Sequence, residues 1–306
     1  MYFFVQVKSG RAPRRQTIRT TRLQTSEISV RNVVARRLRC RSNHWTDIVL
    51  LGLCSSSLAA DWQSTLTREP PGNFPELRPL RASYRFGWAG LTAASGEVHF
   101  TARSADRFQL DGTGQTIGFV RALWKLDADF HAIANSQTLR PIETQQTENY
   151  RKKKLLTRLT FTSKGVTRAR TESRDGSTAT KTRQFDFTDL FDLPSAMLYL
   201  RSQPLTDGSV YRVVVYAATN AYLATVTVVG RDQISVRAGS YKAIKVDLRL
   251  DRVGKHLELE PHRKFRHGTI WVSDDRDRIL LRIEAQIFVG TVFAELQSVR
   301  FDGARY

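Results

Sequence analysis

The densest group of side chains capable of chemistry is the segment PHRKFRH at 261–267, where His262 and His267 follow His256. A metal site needs neutral imidazoles backed by a carboxylate, whereas Arg263, Lys264 and Arg266 crowd these rings with positive charge that repels a cation. The segment reads as a solvated loop. Asp274, Asp275 and Asp277 invite a calcium reading. A calcium loop starting at Asp274 would need glycine sixth and glutamate twelfth, where the chain has Ile279 and Ala285. Aspartates gathered between two strands make a turn. Glu143, Glu148, Asp186 and Glu284 supply carboxylates of the kind a glycosidase pairs, but no motif joins any two of them. Gly112-Thr113-Gly114 lacks the Gly-Lys-Ser/Thr of a phosphate loop. The expectation is a non-enzymatic chain with no catalytic residue, metal ligand or cofactor.

Two other sets of residues suit binding. Arg151, Lys152, Lys153 and Lys154 form an unbroken basic run that, with the PHRKFRH segment, offers a surface to an anionic partner. Such a run is also what an ordinary solvated strand end carries. Trp88, Phe100, Phe108, Trp271, Ile283 and Ile287 are large apolar residues that a curved sheet would gather either around a cavity for an apolar ligand or into a filled core.

Strands must position these residues. Leu80, Ala82, Tyr84, Phe86 and Trp88 alternate with Arg81, Ser83 and Arg85, the period of a half-buried strand. Val98, Phe100 and Ala102 form a second strand; after a turn at 104–106, Phe108 and Leu110 begin a third. Residues 118–124 fit a short helix or turn capping one end of the sheet, with a buried strand as the alternative. Residues 127–187 form long Thr- and Arg-rich strands broken at 136–137, 163–165 and 174–176, with one face wet. Asp192 caps a helix in which Leu193, Met197 and Leu200 recur at helical spacing and which ends before Pro204. Strands near 210–217, 223–231, 243–250 and 269–273 precede a closing pair at 279–288 and 291–301. The fold class predicted is all-β, a single large curved antiparallel sheet, open-barrel or clamshell-like, with one or two short helices.

At 306 residues and 41% hydrophobic content, the chain has material for one large or two moderate domains. Charge divides it unevenly. Residues 1–60 hold 11 basic residues against Glu27 and Asp47, leaving 37 basic and 27 acidic residues for the rest of a chain with net charge +19. From Ile48 the sequence IVLLGLCSSSLAA follows Arg36, Arg37, Arg39 and Arg41, as in a secretory signal cut beside Ala59. The run is shorter than the roughly 20 residues that span a bilayer. An uncleaved anchor and a buried core segment are the alternatives. Leu53 argues against lipidation of Cys54, because lipoprotein processing requires a small residue there. The long basic stretch ahead of the signal fits an Arg-rich transit peptide or a start assigned too far upstream, with Val33 an internal candidate. Both cysteines, Cys40 and Cys54, fall in this leader, so neither a disulfide nor thiolate chemistry is expected beyond it. The organisation expected is a basic leader and signal over 1–60, a Pro-rich linker over 61–79 and a β domain over 80–302.

Three segments carry a family resemblance: YRFGWAGL at 84–91, DLPSAMLYLR at 192–201, and GSYKAIKV at 239–246 followed by IWVSDD at 270–275. In order and spacing they resemble the bacterial exported family known as domain of unknown function 3108 (DUF3108), over about residues 80–302. The family reaches its next glycine after Gly90 sooner than Gly96 here, so the first hairpin is expected to be longer. The resemblance implies export and a mainly antiparallel β fold; it brings no agreed activity and no catalytic residues.

The chain is thus expected to be a periplasmic or outer-envelope protein that holds a lipid or other amphiphile in its curved sheet. The alternative is a structural or assembly protein binding an anionic envelope partner (lipopolysaccharide, phospholipid head groups or an acidic glycan) through basic strands. Export argues against nucleic acid. Arg282 and Glu284, on a would-be lipid face, argue against an integral outer-membrane barrel.

Overall fold

The computed structural model describes residues 61–72, 78–104, 106–288 and 290–302. The signal segment with its cut beside Ala59, both cysteines, and residues 73–77 of the Pro-rich stretch lie outside the described residues.

The first half is a ladder of hairpins. It runs through β1 (Leu80–Trp88), β2 (Leu91–Ser104) and β3 (Arg107–Thr116), then after the short helix α1 (Gly118–Leu123) through β4 (Leu126–Asn135), β5 (Pro141–Tyr150) and β6 (Lys154–Thr162). β7 (Gly165–Arg174) and β8 (Ser177–Asp186) complete it. A two-residue strand, β9 (Leu190–Phe191), and helix α2 (Leu193–Ser202) lead into β10 (Val210–Ala217), β11 (Asn220–Val236) and β12 (Gly239–Val253). The chain ends through β13 (Leu259–Pro261), β14 (Phe265–Ser273), β15 (Leu280–Ile287) and β16 (Gly290–Phe301). At the tips of β1–β2 and β7–β8, both central residues, Ala89-Gly90 and Asp175-Gly176, take positive φ, as the tightest hairpin turns demand.

All sixteen strands belong to one sheet. Its path runs from β8 down to β1, crosses to β16, and continues through β15, β14, β12, β11 and β10 to β9, with β13 paired to β12 off the path. β1 and β16 pair from Leu80–Phe301 to Trp88–Val292, joining the first strand to the last. Among the described strands, only the short β9–β10 pair is parallel. The ends of the path, β8 and β9, do not pair, so the sheet is not closed. This is the single curved antiparallel sheet expected from the alternation, with two short helices.

β10 shows how the sheet curls. Val213, Val214, Val215 and Tyr216 are all buried. Val213 and Val215 join a core with α2, while Val214 and Tyr216 join a second cluster with Leu159 of β6 and Val166 of β7. The sheet therefore rolls until β6–β7 overlaps the outer face of β9–β11, and side-chain packing there takes the place of a hydrogen-bonded seam. A strand covered on both faces requires a continuous apolar run, and VVVY is one.

Helix α2 lies inside the curl, with Ala196, Leu198 and Tyr199 buried and the Tyr199 ring 5.0 Å from Phe191. Asp192 caps its start: the carboxylate accepts from the Ser195 amide at 2.8 Å and from the Thr144 hydroxyl on β5. Arg278 closes its end, donating to the carbonyls of Arg201 (2.8 Å), Gln203 and Pro204 (3.0 Å), which the last turn leaves open. Arg278 is held by the turn the aspartates make, in which Asp275 accepts from the Asp277 and Arg278 amides at 2.9 and 3.0 Å. Ahead of β1, Trp62–Thr65 forms a 3-10 turn, the Thr67 amide donates to the Arg212 carbonyl at 2.9 Å, and Trp62 stacks on Phe187 at 5.7 Å. The described part of the Pro-rich stretch is thereby held against β10.

Several element boundaries differ from the sequence reading: β11 runs to Val236 rather than 231, β14 starts at Phe265 rather than 269, and β9 and β13 have no counterpart in it. Residues 151–153 form the turn between β5 and β6, and only Lys154 lies in a strand. Four consecutive cations cannot share the packed middle of a sheet, and a hairpin tip lets each reach water.

Candidate functional site

The inner face of β1–β4 is lined by unusually small residues. Tyr84, Gly96, Gly114 and Ala128 stand opposite one another across the four strands, and the neighbouring row reads Ala82, Val98, Gly112, Phe130. Glycine weakens a strand by leaving nothing to pack. Gly112 and Gly114 line a hollow of about 250 Å3 between the sheet and α2, while the Phe86 ring covers Gly96. Phe86, Phe100, Leu110, Phe130 and Ile283 wall it. Leu193, Pro194, Met197, Leu198 and Arg201 close it from the helix, a spacing that puts all five on one helical face. The size falls just below the roughly 300–1,000 Å3 of small-molecule pockets, and the apolar walls with few polar groups match their chemistry. On the opposite side of α2, against β10–β12, only about 70 Å3 remains, so the helix is packed there and open here.

Arg201 is the basic group among the described residues that line the hollow, where Glu97 and Asp129 are the acidic ones. It projects from the last turn of α2, and its Nη2 donates to the Asp277 carbonyl at 2.7 Å. Its Nε is buried and has no hydrogen-bond partner among the described residues. Burial pulls the guanidinium below its ordinary pKa, with Tyr84 and Asp277 opposing that shift. Tyr84 donates its hydroxyl to the Leu280 carbonyl at 3.0 Å, and burial pushes its pKa well above the ordinary tyrosine value, so it stays neutral. Behind the glycines the sheet is one backbone thick. Glu97, Thr113 and Asp129 border both the hollow and a polar groove on the outer face that Ser83, Arg85, Ser95 and Gln297 also line.

Of the six apolar residues singled out from sequence, Phe100 and Ile283 line the hollow. Phe108 sits behind Phe100, ring centroids 5.1 Å apart. Trp271 falls between inward-facing Ile270 and Val272, with Lys245 Nζ 5.8 Å above its ring. Trp88 is exposed at the β1–β2 tip, and Ile287 is half-buried at the end of β15. Strand parity separates Trp271 from the others; distance along the strand separates Trp88 and Ile287. In the basic run, Arg151 donates to the Ala122 carbonyl of α1 at 2.9 Å, and Lys153 lies 4.9 Å over the Tyr150 ring. Lys152 is exposed at the tip and Lys154 opens β6.

The histidines go separate ways. The His262 ring lies tilted against Tyr222 at 5.0 Å and accepts the Phe265 amide on Nδ1 at 2.8 Å, His267 pairs with Asp247, and His256 lies in the loop before β13. Sequence reasoning missed Arg201, Met197 and the glycines. The signals were present: Met197 and Arg201 follow Leu193 at intervals of four, and Gly96, Gly112 and Gly114 share the parity of the apolar face.

A family model described as "protein of unknown function (DUF3108)" matches residues 83–297. No curated protein matches the chain. Among solved structures, a β-barrel-like protein of domain of unknown function DUF1849 from Brucella abortus aligns with a TM-score of 0.48 at 10% identity, over 74% of this chain and 99% of that one. A protein described as a lipoprotein from Parabacteroides distasonis aligns with a TM-score of 0.32 at 8% identity, over 76% and 100%. One described as exported, with a YmcC-like fold, from Bacteroides fragilis gives 0.28 at 8%, over 74% and 98%. No helix among the described residues is long and apolar enough to cross a membrane.

Proposed function

The chain belongs to the DUF3108 family of proteins of unknown function, and from its site we propose that it binds a single-chain amphiphile, with the chain in the hollow between β1–β4 and α2 and an anionic head group at Arg201. The observation that carries this reading is the pairing of an apolar hollow with a buried guanidinium nitrogen, Arg201 Nε, that has no hydrogen-bond partner among the described residues. A buried donor left unsatisfied costs about 1–3 kcal/mol, more when charged, and a carboxylate or phosphate at the head of a ligand would recover it. About 250 Å3 suits one short chain and is too small for both chains of a phospholipid. Export to the periplasm or outer envelope, as read from the leader, would bring the protein to such molecules. The reading needs no catalytic step.

Native mass spectrometry of the protein purified from an envelope fraction tests it. An amphiphile of defined mass should accompany the wild type and be lost from Gly112→Leu, which fills the hollow. An equal ligand load on both proteins would rule the hollow out as the site.

A further inference from the structure

Strand direction brings one set of loops to the same end of the sheet: the β1–β2 and β15–β16 tips, α1 between β3 and β4, and the β5–β6 turn. Seven of the nine large hydrophobic side chains exposed among the described residues lie at this end: Trp88, Leu91, Phe119, Leu123, Trp124, Phe288 and Leu259. Leu91, Phe119 and Leu123 are 71%, 77% and 70% exposed. Helix α1 buries none of its residues, yet it is firmly tied down. Arg121 pairs with Asp127 at 2.6 Å, the Ile117 amide donates to the Ala93 carbonyl at 3.0 Å, and the Thr116 hydroxyl donates to the Trp124 carbonyl at 3.0 Å. Phe119 and Leu123, four apart, project from one side of it. The structure thus holds an apolar helical face out toward solvent.

Cations interleave with these side chains. The 151–154 run touches α1 through Arg151, the Tyr150 ring lies tilted 6.3 Å from Trp124, and Lys264 lies 5.7 Å over the Phe288 ring. Aromatic rings among lysines and arginines are the composition of a membrane interface, where the rings settle at head-group depth and each cation gains from anionic lipid. The tips form a rim along consecutive strands, a geometry that meets a flat surface better than a pocketed one. We propose that this rim docks on an anionic lipid bilayer, an inference beyond the hollow and independent of what fills it.

Co-sedimentation of the full chain with vesicles of phosphatidylcholine alone, or of phosphatidylcholine mixed with phosphatidylglycerol, tests the proposal. Binding should require phosphatidylglycerol and weaken with added salt. Lys152→Glu/Lys153→Glu should reduce it by about tenfold or more. Phe119→Ser/Leu123→Ser, two exposed substitutions, should reduce it comparably while leaving thermal stability and ligand binding in the hollow unchanged. Failure to bind either vesicle would overturn the proposal, as would binding by both variants at the wild-type level. So would a wild-type dimer in gel filtration that Phe119→Ser/Leu123→Ser converts to monomer, since the patch would then be a protein interface.

Discussion

Gly112 and Gly114 alternate on β3 and both line the hollow, and together they remove two side chains from a wall whose other side is Met197 of α2. The hollow is therefore built into the sheet by residue choice. Gly112 separates a filled hollow from a damaged sheet. A Cβ placed on Gly112 meets the Glu97 carbonyl at 3.6 Å and the Phe130 Cβ at 3.7 Å, which is ordinary contact. Gly112→Leu should keep the wild-type melting temperature or raise it while excluding ligand. A Cβ on Gly96 would sit 2.6 Å from the Thr113 carbonyl, so Gly96→Ala should destabilise by about 1–3 kcal/mol. Thermal unfolding of the two variants checks the contrast, and equal losses would contradict it.

The cap of α2 carries a pH signature. Burial pushes the Asp192 carboxyl above its ordinary 3.8, against hydrogen bonds from Thr144 and Ser195. A carboxyl whose folded value is raised is held protonated more tightly in the folded chain. Its contribution to stability is full below 3.8 and declines as pH rises through the raised value. Asp192→Asn keeps an acceptor for the Ser195 amide without that penalty, so its stability relative to wild type should improve as pH rises. Asp192→Ala should lose about 0.5–2 kcal/mol of capping. Urea unfolding from acid to neutral pH reads both, and a pH-independent gap between wild type and Asp192→Asn would refute the assignment.

His262 should act in the opposite sense. Its burial holds the imidazole below its ordinary 6.5, and its Nδ1 accepts the Lys264 and Phe265 amides at 3.1 and 2.8 Å. A base with a depressed folded value contributes fully above 6.5 and loses that contribution as pH falls through the folded value. Wild type should lose more stability than His262→Phe on acidification, and parallel pH profiles would count against it.

The sheet was legible because one-sided strands write their burial as alternation. Leu80 to Trp88 and Ile279 to Ile287 could be placed in strands without tertiary information, and so could α2 from Asp192 and the Leu193–Met197 spacing. The β5–β6 turn was less legible: residues 151–153 carry no glycine or proline to punctuate it. The site was half legible. Phe100 and Ile283 follow from strand parity, but the hollow depends on which side chains are absent opposite α2. That α2 lies inside the curl is decided by the roll of β6–β7 over β10, a contact between segments about fifty residues apart that no local period records.

The central claim is that the hollow seats an apolar chain whose anionic head meets Arg201, and calorimetric titration with decanoic acid, a chain short enough for the hollow, tests it most directly. The account predicts saturable binding at one site by the wild type, about tenfold or greater loss in Arg201→Met from removal of a charge-assisted contact, partial retention in Arg201→Lys, and none in Gly112→Leu. Equal affinity across all four proteins, each shown to be folded, would contradict it.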